Sequence, residues 1–173
     1  MTEALRFVLG LIVACALHTL GLRIHIAAPL FFDPFVVLVI YASMRTSTAR
    51  SSLIGTFVGL VQDALTGGLY GLHGFANTSV AFLISAIRQR FVIQQPSQVA
   101  VLAGLGGMFQ ITILSFLQFA LVAQAEIVHP GFALAKTFVT GLVTLAVYVG
   151  SDRFFAWERH RREQRSRRIR LGL

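Results

Sequence analysis

Asp63 is the residue of this 173-residue chain best placed to do chemistry. It sits in an apolar stretch, 52–69, where an ionised carboxylate costs several kcal/mol unless something pairs with it. Two readings follow. Asp63 is a polar anchor or ligand site between helices, or it lies near a helix end and accepts hydrogen bonds from amides of the glycine turn that follows. Lys136, near the start of another apolar stretch, is the candidate intramembrane partner, because both residues fall in the same half of their segments. His73 is a second candidate.

The other reactive residue types do not assemble into a reaction centre. There is no G-x-S-x-G, no phosphate-binding G-x-x-x-x-G-K-[ST] and no H-E-x-x-H. His18, His25, His73, His129 and His160 are scattered, and Cys15 is the only cysteine, which excludes a disulfide framework within one chain. Neither an enzyme, a cofactor nor a metal site is expected. Gln110, Gln118, Asn77 and Thr78 place further polar atoms in apolar stretches, either lining a cavity or bonding between helices.

The elements that must position these groups are membrane helices. The chain is 55% hydrophobic and 13% charged, with a mean hydropathy of +0.74. A soluble domain carries roughly 25% charged residues, so lipid is the expected solvent. Six stretches approach the roughly 20 apolar residues a spanning helix needs: 5–22, 31–44, 52–69, 72–87, 99–123 and 132–150. The second is short and carries Pro34 at its start, where a missing N–H costs nothing. The third and fourth are joined only by Gly67 to Gly71, a tight turn that makes a helical hairpin. Gly55 with Gly59 forms G-x-x-x-G, and Ala100 with Gly104 and Ala103 with Gly107 repeat small residues at that spacing. Such pairs let backbones approach, within the chain or in a homodimer.

The formal charge of +8 is not a nucleic-acid signature. Arg153, Arg159, Arg161, Arg162, Arg165, Arg167, Arg168 and Arg170 all fall in a basic tail, 153–173, after a transmembrane domain, 1–152. Arg45 and Arg50 follow the second stretch, Arg88 and Arg90 the fourth, while only Arg23 lies in the alternate loops. Basic residues stay on the cytoplasmic side, so both termini are expected there. The tail is expected to meet anionic lipid headgroups, or an acidic cytoplasmic partner.

The run from Gly59 to His73, G-L-V-Q-D-A-L-T-G-G-L-Y-G-L-H, resembles the signature of the MreD family, the rod shape-determining membrane proteins of bacteria. That signature has a glycine, an apolar stretch and an aspartate, then a small-residue turn ending in G-x-x-x-G; Gly59, Asp63, Gly67 and Gly71 match it. Asp33, leading into the apolar run 35–41 and Arg45, resembles the family's Pro-Asp before an aliphatic second span, with Pro34 here following the aspartate. The resemblance implies an all-α, six-helix bundle in the inner membrane, similar to the substrate-binding components of energy-coupling-factor transporters. It implies a scaffold without catalysis that works beside MreC, a single-span protein, in the complex controlling rod shape and lateral peptidoglycan synthesis. The elongation-specific transpeptidase and glycosyltransferase, and indirectly the MreB filament, are the further implied partners. The transporter likeness supplies the rival expectation, a small-solute-binding membrane subunit.

Overall fold

The computed structural model describes residues 3–24, 32–67, 69–91, 95–121, 131 and 134–151. Six helices account for nearly all of them: α1 Glu3–Ile24, α2 Pro34–Ser43, α3 Thr48–Thr66, α4 Leu72–Arg90, α5 Pro96–Leu121 and α6 Leu134–Ser151. No strand occurs among the described residues. The helices coincide with the six expected stretches, shifted by a few residues at their ends. The basic tail 153–173, with Arg159, Arg161, Arg162, Arg165, Arg167, Arg168 and Arg170, lies outside the described residues.

Local chemistry sets where the helices start and stop. Pro34 occupies the first turn of α2, with its ring-fixed φ ready for a helix, and the Asp33 side chain caps the helix by accepting from the Phe35 amide at 3.1 Å. Gly67 ends α3 in the left-handed region, φ 67°, and Gly71 precedes α4 at φ 99°, conformations that a Cβ would strain. These two glycines turn the chain back on itself, so α3 and α4 pack closely along their length.

Three helices, α1, α5 and α6, contain stretches both long and apolar enough to cross a membrane: Leu5–Arg23, Ser97–Leu121 and Leu134–Ser151. The 19-residue α3 and α4 would reach about 28 Å but carry polar residues along the way. The short α2 covers only about 15 Å, half of a bilayer's hydrocarbon. It tolerates this by being an inner helix. Pro34, Phe35, Val36, Val37, Val39, Ile40 and Ser43 are all buried, against α1, α3, α4 and α5. Val36, Ile40 and Met44 pack with Val80 and Ile84 of α4 and with Val99, Leu102 and Ala103 of α5. Phe35 and Val39, about 100° round the helix, pack with Ala14, Val58 and Ala81.

The radial arrangement is that of a protein solvated by lipid. Asp33, Ser51, Gln62, Asp63, Asn77, Ser85, Gln110, Thr140 and Thr144 are buried, while Ile12, Leu53, Phe57, Phe75, Phe82, Phe116, Phe119 and Phe138 point outward. In water such a surface would associate; in hydrocarbon it costs nothing.

Glycines set the closest approaches. Gly55, Gly59 and Asp63 recur every four residues on α3 and therefore share the face turned to α4. A Cβ on Gly55 would lie 2.5 Å from the Asn77 carbonyl oxygen, and one on Gly59 would collide with the His73 carbonyl and the Gly74 backbone. On α5, Gly107 faces Thr140 of α6, and Gly141 of α6 faces the Ala100 carbonyl. The small-residue patterns are thus occupied within the chain.

Candidate functional site

Two buried carboxylates organise one end of the bundle, and neighbouring residues of α3 belong to different halves of the arrangement. Successive residues of a helix point about 100° apart. Asp63 therefore faces the start of α4 while Gln62, beside it, turns inward toward Asp33 at the start of α2 and Asn77, further along α4.

Asp63, 1% exposed, caps the start of α4 from a different helix. Its Oδ2 accepts from the amides of Gly71 at 2.8 Å and Gly74 at 3.1 Å; its Oδ1 accepts from the His73 amide at 3.0 Å and lies 2.8 Å from His73 Nδ1. With a carboxylate on the other side, Nδ1 is the ring atom that carries the proton. The first amides of a helix have no partner within it and hold partial positive charge, which is why a carboxylate is stabilised there. Gly71 offers α4 no capping side chain of its own. Gly59, one turn earlier on α3, brings the two backbones near enough for Asp63 to supply one.

Asp33 forms the second centre. Oδ1 caps α2, while Oδ2 accepts from Gln62 Nε2 of α3 at 2.9 Å and from Gln110 Nε2 of α5 at 3.4 Å. Asn77 of α4 donates to Gln62 Oε1 at 3.0 Å, and Gln110 Nε2 also donates to Asn77 Oδ1 at 3.1 Å. The four side chains close a ring, and Lys136 of α6 places Nζ 3.5 Å from the same Asp33 Oδ2. Residues of α2, α3, α5 and α6 meet at one carboxylate, and Asn77 brings α4 into the ring through Gln62 and Gln110. The sixth is close by: His18 of α1, 5% exposed, leans its ring on Phe35 with centroids 5.4 Å apart. Asp33 sits this deep because α2 is short, so its N-cap lies within the bundle.

The expected pairing of Asp63 with Lys136 is corrected by this geometry. Lys136 lies on Asp33, and the Asp63 oxygens are taken by three backbone amides and the His73 ring. Of the two readings of Asp63, hydrogen bonding to the glycine turn is the arrangement seen, with His73 added. Gly67 and Gly71 shape that turn, and Asn77 and Gln110 bond between helices. The sequence reading passed over Gln62 as a partner; its signal was an uncharged amide beside an aspartate in an apolar stretch. Among the described residues no cluster of three His, Cys, Asp or Glu side chains could hold a metal ion.

The opposite end carries arginines. Arg45 stacks over the rings of Tyr41 and Tyr148, at 4.9 and 5.5 Å, and donates to Ser151 Oγ at 3.2 Å. Arg88 donates to the Thr46 carbonyl at 3.0 Å, and Gln89 to Thr48 Oγ1 at 2.6 Å. These contacts tie the α2–α3 connection to α4 and α6.

Buried carboxylates that cap helices and bond across to neighbouring ones, inside a bundle with an apolar exterior, define an all-helical integral membrane protein whose polar groups hold it together. The chain matches the family model of the rod shape-determining protein MreD over residues 1–149 and belongs to that family. The family determines rod shape in bacteria and is not a known family of enzymes. No curated protein and no solved structure matches the chain.

Proposed function

We propose that this protein is a non-catalytic scaffold of the bacterial cell-elongation complex, working beside an MreC-like single-span protein in control of rod shape and lateral peptidoglycan synthesis. One observation supports this reading above the others. Asp33 and Asp63, the carboxylates inside the bundle, are engaged between helices, so their chemistry serves rigidity. A rigid membrane body suits a part that holds a transpeptidase, a glycosyltransferase and, indirectly, the MreB filament in register. The arginine tail adds anchorage on anionic lipid headgroups. A second copy of the chain would have to meet a face other than the occupied glycine pairs. Depleting the protein in a rod-shaped host is expected to give round, wide cells that continue to divide, scored by microscopy. Rods that persist after full depletion, with a solute-uptake defect, would favour a transporter subunit instead.

The proposed placement is the inner membrane, with both termini and the Arg45, Arg50, Arg88 and Arg90 end in the cytoplasm. Cysteines at Ser47 and Gln95, introduced after Cys15 is replaced, are expected to resist a membrane-impermeant thiol reagent in intact cells. Cysteines at His25 and His129 are expected to react. Labelling of the first pair in sealed cells would invert the orientation.

A further inference from the structure

At the arginine end, an open groove of about 410 Å³ runs between the end of α4 and the start of α5. Leu102, 5% exposed, and the half-buried Ile87 form its floor; Phe91, Val101 and Leu105, each more than half exposed, form its edges. Ser97 and Gln98 make it polar at one end only, where α5 begins.

The charge that α4 and α5 bring to that polar end has one sign. Arg88 and Arg90 stand in the last turn of α4, and Arg90 is exposed. No Asp or Glu occurs anywhere in residues 64–125. The Gln98 side-chain oxygen Oε1 accepts from the Gln95 backbone amide at 3.2 Å, which fixes the start of a 26-residue helix whose dipole adds to the positive potential there. An apolar channel with a cationic mouth at the end of the bundle matches a molecule with a long apolar chain and an anionic head. Basic pockets between membrane helices are favourable places for acidic lipid headgroups, worth on the order of 1 kcal/mol per arginine, or about fivefold in affinity.

We infer that this groove is a binding site for an anionic phospholipid, with an acyl chain along Ile87, Leu102 and Leu105 and the headgroup phosphate at Arg90. The site is separate from the arginine tail and does not depend on the scaffold role proposed above. It places one ordered lipid against the α4–α5 pair, so the lipid covers apolar surface that two helices alone leave open.

The test uses the full chain, purified and returned to vesicles of phosphatidylglycerol or phosphatidylcholine whose acyl chains carry bromine, a quencher of tryptophan fluorescence. Trp157 is replaced by Phe, and one reporter is introduced at a time: Phe91→Trp in the groove, or Leu53→Trp on the outer face of α3, where the native leucine is 71% exposed. The preference for phosphatidylglycerol over phosphatidylcholine is expected to be about fivefold greater at the groove reporter than at the outer one. Arg90→Gln should remove that excess, while Arg50→Gln, at the start of α3, should leave it intact. Equal preferences at the two reporters, an excess that survives Arg90→Gln, or a groove reporter that neither lipid quenches because the chain's own tail covers it, would each overturn the assignment.

Discussion

Asp33→Asn is expected to destabilise the purified protein by about 3–5 kcal/mol, the cost of leaving a buried cation without its counter-ion. Asn is as good an N-cap as Asp, so the first turn of α2 keeps its support at the Phe35 amide. What changes is the atom replacing Oδ2. An amide nitrogen there would face the Gln62 and Gln110 amide nitrogens, while Lys136, with a side chain only 16% exposed, would keep its charge and lose the oxygen 3.5 Å away. Removing the cation as well separates these effects. Lys136→Met alone leaves an unpaired carboxylate, yet the double variant Asp33→Asn with Lys136→Met should be less damaged than the sum of the singles, by about 0.5–3 kcal/mol. Thermal unfolding in detergent measures all four proteins. Strict additivity would show that Asp33 and Lys136 do not interact energetically.

Asp63 should behave differently toward the same lysine. Asp63→Asn with Lys136→Met is expected to be additive, because no contact joins them and the Asp63 oxygens are held by Gly71, His73 and Gly74. Asp63→Asn nevertheless carries a substantial cost. Both carboxylate oxygens accept, and an Asn has only one oxygen to offer, so two donors at the start of α4 meet an NH2 group instead. Each buried donor left without a partner costs about 1–3 kcal/mol. Asp63→Leu orphans the whole set and is expected to be worse than Asn, loosening the α3–α4 hairpin first. Hydrogen exchange at the amides of His73 and Gly74, faster in Leu than in Asn and faster in Asn than in wild type, would follow that loosening directly. Equal protection in all three proteins would show that the cap adds nothing.

The two carboxylates also account for how the bundle can be both polar inside and stable in lipid. Each aspartate is met by donors from other helices, and each sits at a helix start where partial positive charge is available. Gly55 and Gly59 are part of the same construction: without their close approach to α4, Asp63 could not reach the amides it caps.

Much of this was legible from residue types alone. Apolar stretches interrupted by Asp33-Pro34 and by the glycines at 67 and 71 mark helix limits, because capping and left-handed glycines act within a few residues of where they stand. The depth of Asp63 and Lys136 along their helices was legible too, since the rise per residue converts position into height. Partner choice was not. Periodicity tells which residues of one helix share a face, but it says nothing about which helix that face meets. Asp33 and Asp63 offered Lys136 the same chemistry at similar height. Only the packing of the short α2 inside the bundle, with its N-cap turned toward α5 and α6, gave the lysine to Asp33 and left Asp63 to the amides of α4. Gln62 entered the ring for the same reason: a rotation of about 100° from Asp63 directs it to a different neighbour, and the identity of that neighbour is a property of the assembled helices.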